Sequence, residues 1–184
     1  MLDGTSQQLS DFTQRYCQRW QQERQTAPIN DQLIGVDSPC LLSTHENGIT
    51  WQPQPFTLPK HLDAVAKGVD LVVQPSVIAF YTTQFAAEMP ASFDGTRLTL
   101  LQAWNSEDFT LLQQNLVAHL VMKRRLKHSP TLFIATTDDD STIVSVDNLN
   151  GNVILEILGK KKSELLAPSL GDFLQALQPE IHLA

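Results

Sequence analysis

Residues 130–157 read PTLFIATTDDDSTIVSVDNLNGNVILEI. Three apolar runs, at 131–136, 142–147 and 152–157, are rich in Val, Ile and Thr and are separated by Asp138-Asp139-Asp140 and by Asn150-Gly151. Short β-branched runs bounded by turn residues are strands, and connections this tight join antiparallel neighbours. A cluster of successive strands with the helical patterns gathered elsewhere in the chain predicts an α+β fold with a mainly antiparallel sheet.

Immediately upstream, 106–127 predicts the longest helix. Phe109, Leu112, Leu116 and Leu120 make its core stripe, with Val117 and Val121 beside it. Ser106 is the expected cap, Glu107 and Asp108 occupy the first turn, and Lys123, Arg124, Arg125 and Lys127 crowd the last, all favoured by the helix dipole. Before it, Asp94-Gly95 is a turn and 98–104 a buried strand, whereas 76–87 reads as irregular structure with a helical turn. Leu62, Val65, Ala66 and Val69 predict a short helix over 61–69. Half of the ten prolines fall in 28–59. There, 40–43 and 49–51 predict a hairpin turned by Glu46-Asn47-Gly48, and 51–56 leaves it as an extended segment that prolines bar from a central strand. Leu9, Phe12, Tyr16 and Trp20 share one face of a helix over 6–25 capped by Ser6, and 169–178 predicts a final helix burying Leu170, Phe173, Leu174 and Leu177. The expected architecture is one domain over 1–184, with an N-terminal, a long central and a C-terminal helix packed around the sheet.

The chain has 184 residues, is 42% hydrophobic and carries a net charge of −7. Length and apolar content suffice for a real core, and the negative balance argues against a nucleic-acid footprint. No run of about 18 apolar residues is present to span a bilayer. The Met1-Leu2-Asp3-Gly4 start lacks a leader pattern, so a cytoplasmic location is expected. Cys17 and Cys40 have no partner at metal spacing and read as reduced thiols. The GxSxG, phosphate-loop, HExxH and GxGxxG patterns are absent. His45, His61, His119, His128 and His182 lack second ligands three or four positions away. Asp138-Asp139-Asp140 lacks the spacing of a calcium loop and reads as a solvated turn. No catalytic residue, metal or cofactor is expected, and a monomer is the simplest state.

The charge is unevenly placed. Residues 25–122 hold three Lys or Arg against nine Asp or Glu, which is nearly the whole acidic excess. Lys123, Arg124, Arg125, Lys127, Lys160, Lys161 and Lys162 make up seven of the thirteen basic residues. Those clusters fit either a helix end plus a solvated turn or contact with anionic lipid headgroups. The acidic middle also carries Trp51, Phe56, Tyr81, Phe85 and Trp104 near the proline-rich run, and these aromatics look exposed. Loops with carboxylates and aromatics suit a basic, partly apolar polypeptide, such as the Lys/Arg-rich cytoplasmic loops of membrane proteins. Scattered solubilising charge is the alternative.

Six segments then form a pattern: Asp11-Phe12-Thr13-Gln14-Arg15-Tyr16-Cys17, Ser38-Pro39-Cys40, Trp51-Gln52-Pro53-Gln54-Pro55-Phe56, Phe80-Tyr81-Thr82-Thr83-Gln84-Phe85-Ala86, Leu98-Thr99-Leu100-Leu101-Gln102-Ala103-Trp104 and Pro130-Thr131-Leu132-Phe133-Ile134-Ala135-Thr136. In this order the chain resembles the Syd family of SecY-interacting proteins from Gram-negative bacteria. The resemblance implies a compact domain related to the SUKH superfamily, without catalytic activity or cofactor. It implies peripheral docking at the cytoplasmic side of the inner membrane, where the partner is SecY. SecY that is not properly complexed would be preferred, so that excess SecY is sequestered or the translocase restrained. An electronegative concave surface would receive basic SecY loops. Trp51, Gln52, Tyr81 and Gln84 match the family's motifs, and Asp70, Glu88, Glu107 and Asp108 stand where it is expected to carry acids; these eight are the candidate partner-binding residues. The carboxylates also read as solvated or capping groups, and Trp51 and Trp104 as core anchors. A SUKH-type immunity protein covering a basic toxin is the second functional reading, and an unrecognised hydrolase the third.

Overall fold

A computed structural model describes residues 4–181; Met1-Leu2-Asp3 of the start read for a leader pattern, and His182, lie outside them. In chain order the elements are α1 (Thr5–Arg24), β1 (Ile29–Asn30), β2 (Leu41–His45), β3 (Gly48–Trp51), β4 (Gln54–Pro55), α2 (Asp63–Val69), α3 (Pro75–Thr82), β5 (Gln84–Phe85), β6 (Met89–Phe93), β7 (Thr96–Leu100), α4 (Ser106–Arg125), β8 (Thr131–Thr137), β9 (Thr142–Asp147), β10 (Val153–Ile157), β11 (Ser163–Ala167), α5 (Leu170–Ala176) and β12 (Gln178–Pro179). The fold is α+β, and every strand pair among the described residues is antiparallel.

The three strands read from 130–157 are β8, β9 and β10. They form the centre of a seven-stranded sheet of order β11-β10-β9-β8-β7-β6-β12. Leu132 opposes Val146, which in turn opposes Val153, so a single row of buried aliphatics crosses three strands. The register slips between Phe133 and Ala135 and again between Val153 and Ile154, and such bulges increase twist. Two small sheets sit beside the large one: β1-β3-β2 and the β4-β5 pair.

Helix α1 lays its predicted stripe into the core, where Leu9, Phe12, Tyr16 and Trp20 are all buried. It packs on α5 and α3, while α2 packs on α4 and α4 lies against β8. Arg15 holds the α1–α5 contact together. Its guanidinium lies over the Phe12 ring at 5.4 Å and donates to the carbonyls of Leu177 (2.8 Å) and Leu174 (3.1 Å) at the end of α5. Both carbonyls belong to the C-terminal end of the helix, where positive charge is favoured.

Several local expectations are corrected. Helix α1 is preceded by Gly4 in the left-handed region, φ 78°, and Ser6 lies inside the helix. Helix α4 is capped by Asn105, whose side chain accepts the Asp108 N–H at 2.8 Å, and Ser106 is its first residue. Lys127 lies past the helix end. Residues 76–87 are more ordered than expected: Pro75, whose fixed φ suits a first helical position, opens α3. Strand β7 stops at Leu100 rather than running to Trp104, and β6, β11 and β12 were not legible. The five aromatics that look exposed in the sequence are core. Trp51 is 1% exposed, and Tyr81, Phe56, Phe85 and Trp104 are likewise buried. Trp51 stacks on Tyr16 at 6.2 Å and meets Trp104 edge-on at 6.4 Å.

Candidate functional site

A cavity of about 340 Å³ opens between the connection after β1, residues 86–88 and the first half of α4. Its walls are apolar at Leu33, Leu111 and Leu112, and Glu88 and Asp108 supply its charge. It continues into a wider concavity of about 840 Å³, which shares Asn30, Gln32 and Glu88, adds Asp31, and has Arg97 as its cation. The groove is therefore acidic, half apolar and open along one face of the protein. Another cavity, about 460 Å³ beside the start of α1, has no charged side chain in its lining, so the charge points to the groove.

Local structure fixes each wall. Gly48 opens β3 at φ 150°, and a Cβ there would lie 2.8 Å from the carbonyl oxygen of Asn30. The absence of that carbon lets the hairpin press against β1 and present Asn30, Asp31 and Gln32 to the groove. On the opposite side, Trp104 donates its indole N–H to the Val36 carbonyl (3.1 Å), and Asn105 donates its side-chain N–H to the Asp37 carbonyl (2.8 Å). These two bonds hold the 30–37 connection against the start of α4.

Asp108 has two roles. Its backbone N–H is capped by Asn105, and its carboxylate accepts the Trp104 N–H at 2.8 Å. It closes the helix N-terminus in the manner of a capping box while also lining the groove. Glu88 has no such anchor. It comes from the segment between β5 and β6, forms no ion pair among the described residues, and shares the cavity with Asp108. The residue is exposed at the groove's rim, and partial desolvation, then the Asp108 charge, push its carboxyl above the ordinary glutamate value. Two like charges in a partly desolvated groove each favour a cation between them. Burial pushes the Tyr16 hydroxyl up to about 12, with a lesser contribution from the Glu88 charge.

The other sequence candidates are placed elsewhere. Glu107 is exposed in the first turn of α4, one position and so about 100° around the helix from Asp108, and is not among the groove's lining residues. Asp70 caps the C-terminal end of α2 at φ 50°, and Gln52 is exposed on the link between β3 and β4, outside the groove. Trp51, Tyr81 and Gln84 are buried and cannot touch a partner at the surface. Tyr81 donates to the Phe133 carbonyl at 2.7 Å. The Gln84 amide donates to Thr13 (2.8 Å) and to Gln102 (3.1 Å), joining α1 to the end of β7. Leu111, Leu33, Asn30, Asp31 and Gln32 were not singled out. The available signal was Leu111, an apolar residue beside rather than on the α4 core stripe, which is 53% exposed.

The basic clusters are also sorted by the fold. Lys123 does not face a membrane: it is buried and ion-paired with Glu156. Thr131 donates to the second Glu156 oxygen at 2.6 Å and lies 2.9 Å from Nε2 of His119, which places the histidine proton on Nε2. Burial raises Glu156, but the hydrogen bonds from Lys123 and Thr131 outweigh it and hold the carboxyl below its usual range. Burial lowers His119 and keeps it neutral. Arg124, Arg125, Lys127 and Lys160, Lys161 and Lys162 are exposed. No helix among the described residues is long and apolar enough to cross a membrane.

Comparison with known proteins gives the same family as the six segments. A family model described as Syd protein (SUKH-2) matches residues 6–179. The Protein Syd of Erwinia tasmaniensis is 54% identical over 98% of this chain and 97% of its own length. That of Escherichia coli O157:H7 is 49% identical over 97% of this chain and 99% of its own, and that of Cronobacter sakazakii 48% over the same shares. With the match running from the second residue of α1 to the last of β12, through both walls of the acidic groove, this chain belongs to the Syd family.

Proposed function

We propose that this protein is a non-catalytic binding module whose acidic groove receives a Lys- or Arg-rich, partly apolar polypeptide segment, and that this segment is a cytoplasmic loop of SecY. The observation that carries the reading is the Glu88–Asp108 pair. A carboxylate left without a cation beside another carboxylate raises the energy of the free protein, and a cationic side chain entering between them removes that penalty. Leu33, Leu111 and Leu112 would take the aliphatic stems and apolar neighbours of the incoming cations. Family membership supports SecY as the owner of the loop, and cytoplasmic loops of membrane proteins carry an excess of Lys and Arg. A protein that occupies those loops engages SecY not already covered by its usual complex partners. It would act at the cytoplasmic face of the inner membrane by sequestering excess SecY or restraining the translocase.

The test is binding to SecY in nanodiscs and to synthetic peptides of its cytoplasmic loops, as a function of salt. Affinity should fall steeply with ionic strength, because exposed charges are screened beyond about 8 Å at physiological salt. Glu88→Lys should reduce it by about tenfold or more, in line with the loss of a central charge contact. Salt-independent binding, or an unaltered Glu88→Lys variant, would refute the groove as the site. Pull-down of a basic toxin domain in place of SecY would favour an immunity role on the same groove.

A further inference from the structure

The chain carries on its own surface a segment of the chemistry that the acidic groove accepts. Residues 159–165 read Gly-Lys-Lys-Lys-Ser-Glu-Leu and are all exposed. They make a Lys-rich stretch that ends on an uncovered aliphatic side chain, Leu165, 60% exposed. The stretch forms the turn between β10 and β11 and the start of β11. Gly159, at φ 81°, lets the chain reverse tightly, and the Lys160 N–H donates to the Ile157 carbonyl at 3.1 Å. Strand β11 is an outer strand of the seven-stranded sheet, so the turn stands at the margin of the molecule.

These three lysines form no ion pair among the described residues. The Asp138-Asp139-Asp140 turn lies beside them, joined by the Leu158 N–H, which donates to the Ser141 carbonyl at 2.7 Å. Asp139 is engaged within its own turn, where it accepts the Ser141 N–H (2.9 Å), the Ser141 hydroxyl (2.8 Å) and the Thr142 hydroxyl (3.2 Å). Asp138 and Asp140 are exposed. The tip is therefore mixed in sign, as is the concavity that continues the groove, where Arg97 accompanies Asp31 and Glu88. The other basic run is partly committed to the fold, since Lys123 pairs with Glu156 and Arg124 donates to the Val69 carbonyl. The Lys160–Lys162 turn cannot fill the groove of its own molecule. Five strand-to-strand steps separate β11 from β6, which Glu88 immediately precedes, a span of about 24 Å across the sheet.

We propose that the Lys160–Lys162 turn of one copy of this chain enters the acidic groove of a second copy, with the lysines meeting Glu88, Asp108 and Asp31 and Leu165 meeting the apolar wall of Leu33 and Leu111. Charge complementarity selects the occupant. The contact is head-to-tail, because each copy offers one turn and one groove, and it does not close as a two-fold symmetric dimer would. It is a weak contact, made by solvated charges between molecules that each carry a net charge of −7. The inference rests on the reading of the groove as a receptor for Lys-rich, partly apolar segments, and it adds a means of regulation: neighbouring copies shield the groove until a SecY loop displaces the turn.

The test is sedimentation equilibrium of the full chain at about 0.1 M salt, where the Debye length of about 10 Å screens the repulsion of the net charges but not pairs in contact. The weight-average mass should rise above that of the monomer as protein concentration increases, and return to it at about 1 M salt. Lys160→Ser/Lys161→Ser/Lys162→Ser and, separately, Glu88→Lys should each be monomeric while keeping a cooperative urea transition. Mixed together, the two variants should form a one-to-one complex that grows no further, because one retains an intact groove and the other an intact turn. A general effect of net charge would not restore that pairing. A SecY loop peptide should dissociate the wild-type complexes, and the triple-lysine variant should bind the peptide at least as tightly as wild type. A wild-type chain that is monomeric at every concentration, or a mixture that yields no one-to-one complex, would overturn the proposal. If that monomeric chain still bound the peptide, the reading of the groove would stand without this inference. Self-association through the turn with no peptide binding would keep this inference and remove SecY from that reading.

Discussion

The two ends of α4 carry charges of opposite sign, and both signs agree with the helix dipole: acids at the N-terminus, bases at the C-terminus. Their circumstances differ. At the C-terminal end the most buried cation, Lys123, is paired with Glu156, and Arg124 is tied to a backbone carbonyl. At the N-terminal end Asp108 is held by the Trp104 N–H, but Glu88 comes from a different segment, forms no ion pair among the described residues, and is pushed above its ordinary pKa. The dipole accounts for Asp108 and Glu107, and it does not account for Glu88. Paired charge tells of structure, and unpaired charge in a concavity tells of a missing partner.

That contrast can be broken at several places. The largest effect is expected at the paired end. Lys123→Ala leaves Glu156 buried and uncompensated and should cost about 3–5 kcal/mol in urea unfolding, whereas Lys123→Met combined with Glu156→Leu should recover most of it. A Lys123→Ala variant as stable as wild type would return Lys123 to the surface. Trp51→Ala should also cost about 3–5 kcal/mol, as for a fully buried tryptophan, while exposed Gln52→Ala should stay within about 0.5 kcal/mol.

Acid should act first on the paired end. His119 is held below its unfolded value, so stability is lost once pH falls below about 6.5, where the unfolded chain takes up a proton that the folded one does not. Glu156, also lowered, adds a second loss as pH falls through about 4.3 towards its folded value. His119→Gln should flatten the upper part of that decline in denaturation series at successive pH values; an unaltered profile would refute the assignment. The smallest effect belongs to Glu88. Its raised pKa disfavours the folded state as pH rises from about 4.3 upwards, so Glu88→Gln should be slightly more stable at pH 7, by less than about 1 kcal/mol after solvent screening, with no difference at pH 3. A stability loss at pH 7 would mean that Glu88 has a structural partner.

Regular patterns were legible and tertiary ones were not. The α1 and α4 stripes and the three strands at 131–157 announce themselves because burial on one face imposes a period. Strand β11 reads Ser-Glu-Leu-Leu-Ala, a composition that favours helix, and it is a strand because it pairs with β10 at the sheet edge. Strand β6 contains Pro90 and small residues and likewise depends on its neighbours. The run Trp51–Phe56 shows why the aromatics were misplaced. Its prolines mark it as irregular, yet both of its rings turn inward against Tyr16, Phe85 and Phe109. The groove was half legible: the acidic excess of 25–122 and both of its paired carboxylates were named, but 20 positions separate Glu88 from Asp108, and only the packing of α4 beside the 86–88 segment brings them together. The same packing excludes Asp70, which no feature of the sequence could distinguish from Glu88.

That last distinction supplies the most direct measurement. The affinity for a Lys/Arg-rich SecY cytoplasmic-loop peptide should be compared between Glu88→Gln and Asp70→Asn, two neutral replacements of nearly unchanged shape that each remove one negative charge. If the groove is the binding site, Glu88→Gln weakens binding several-fold and reduces its salt dependence, while Asp70→Asn matches wild type. Equal losses in the two variants would mean that net charge alone attracts the peptide, and a loss confined to Asp70→Asn would place the site away from the groove.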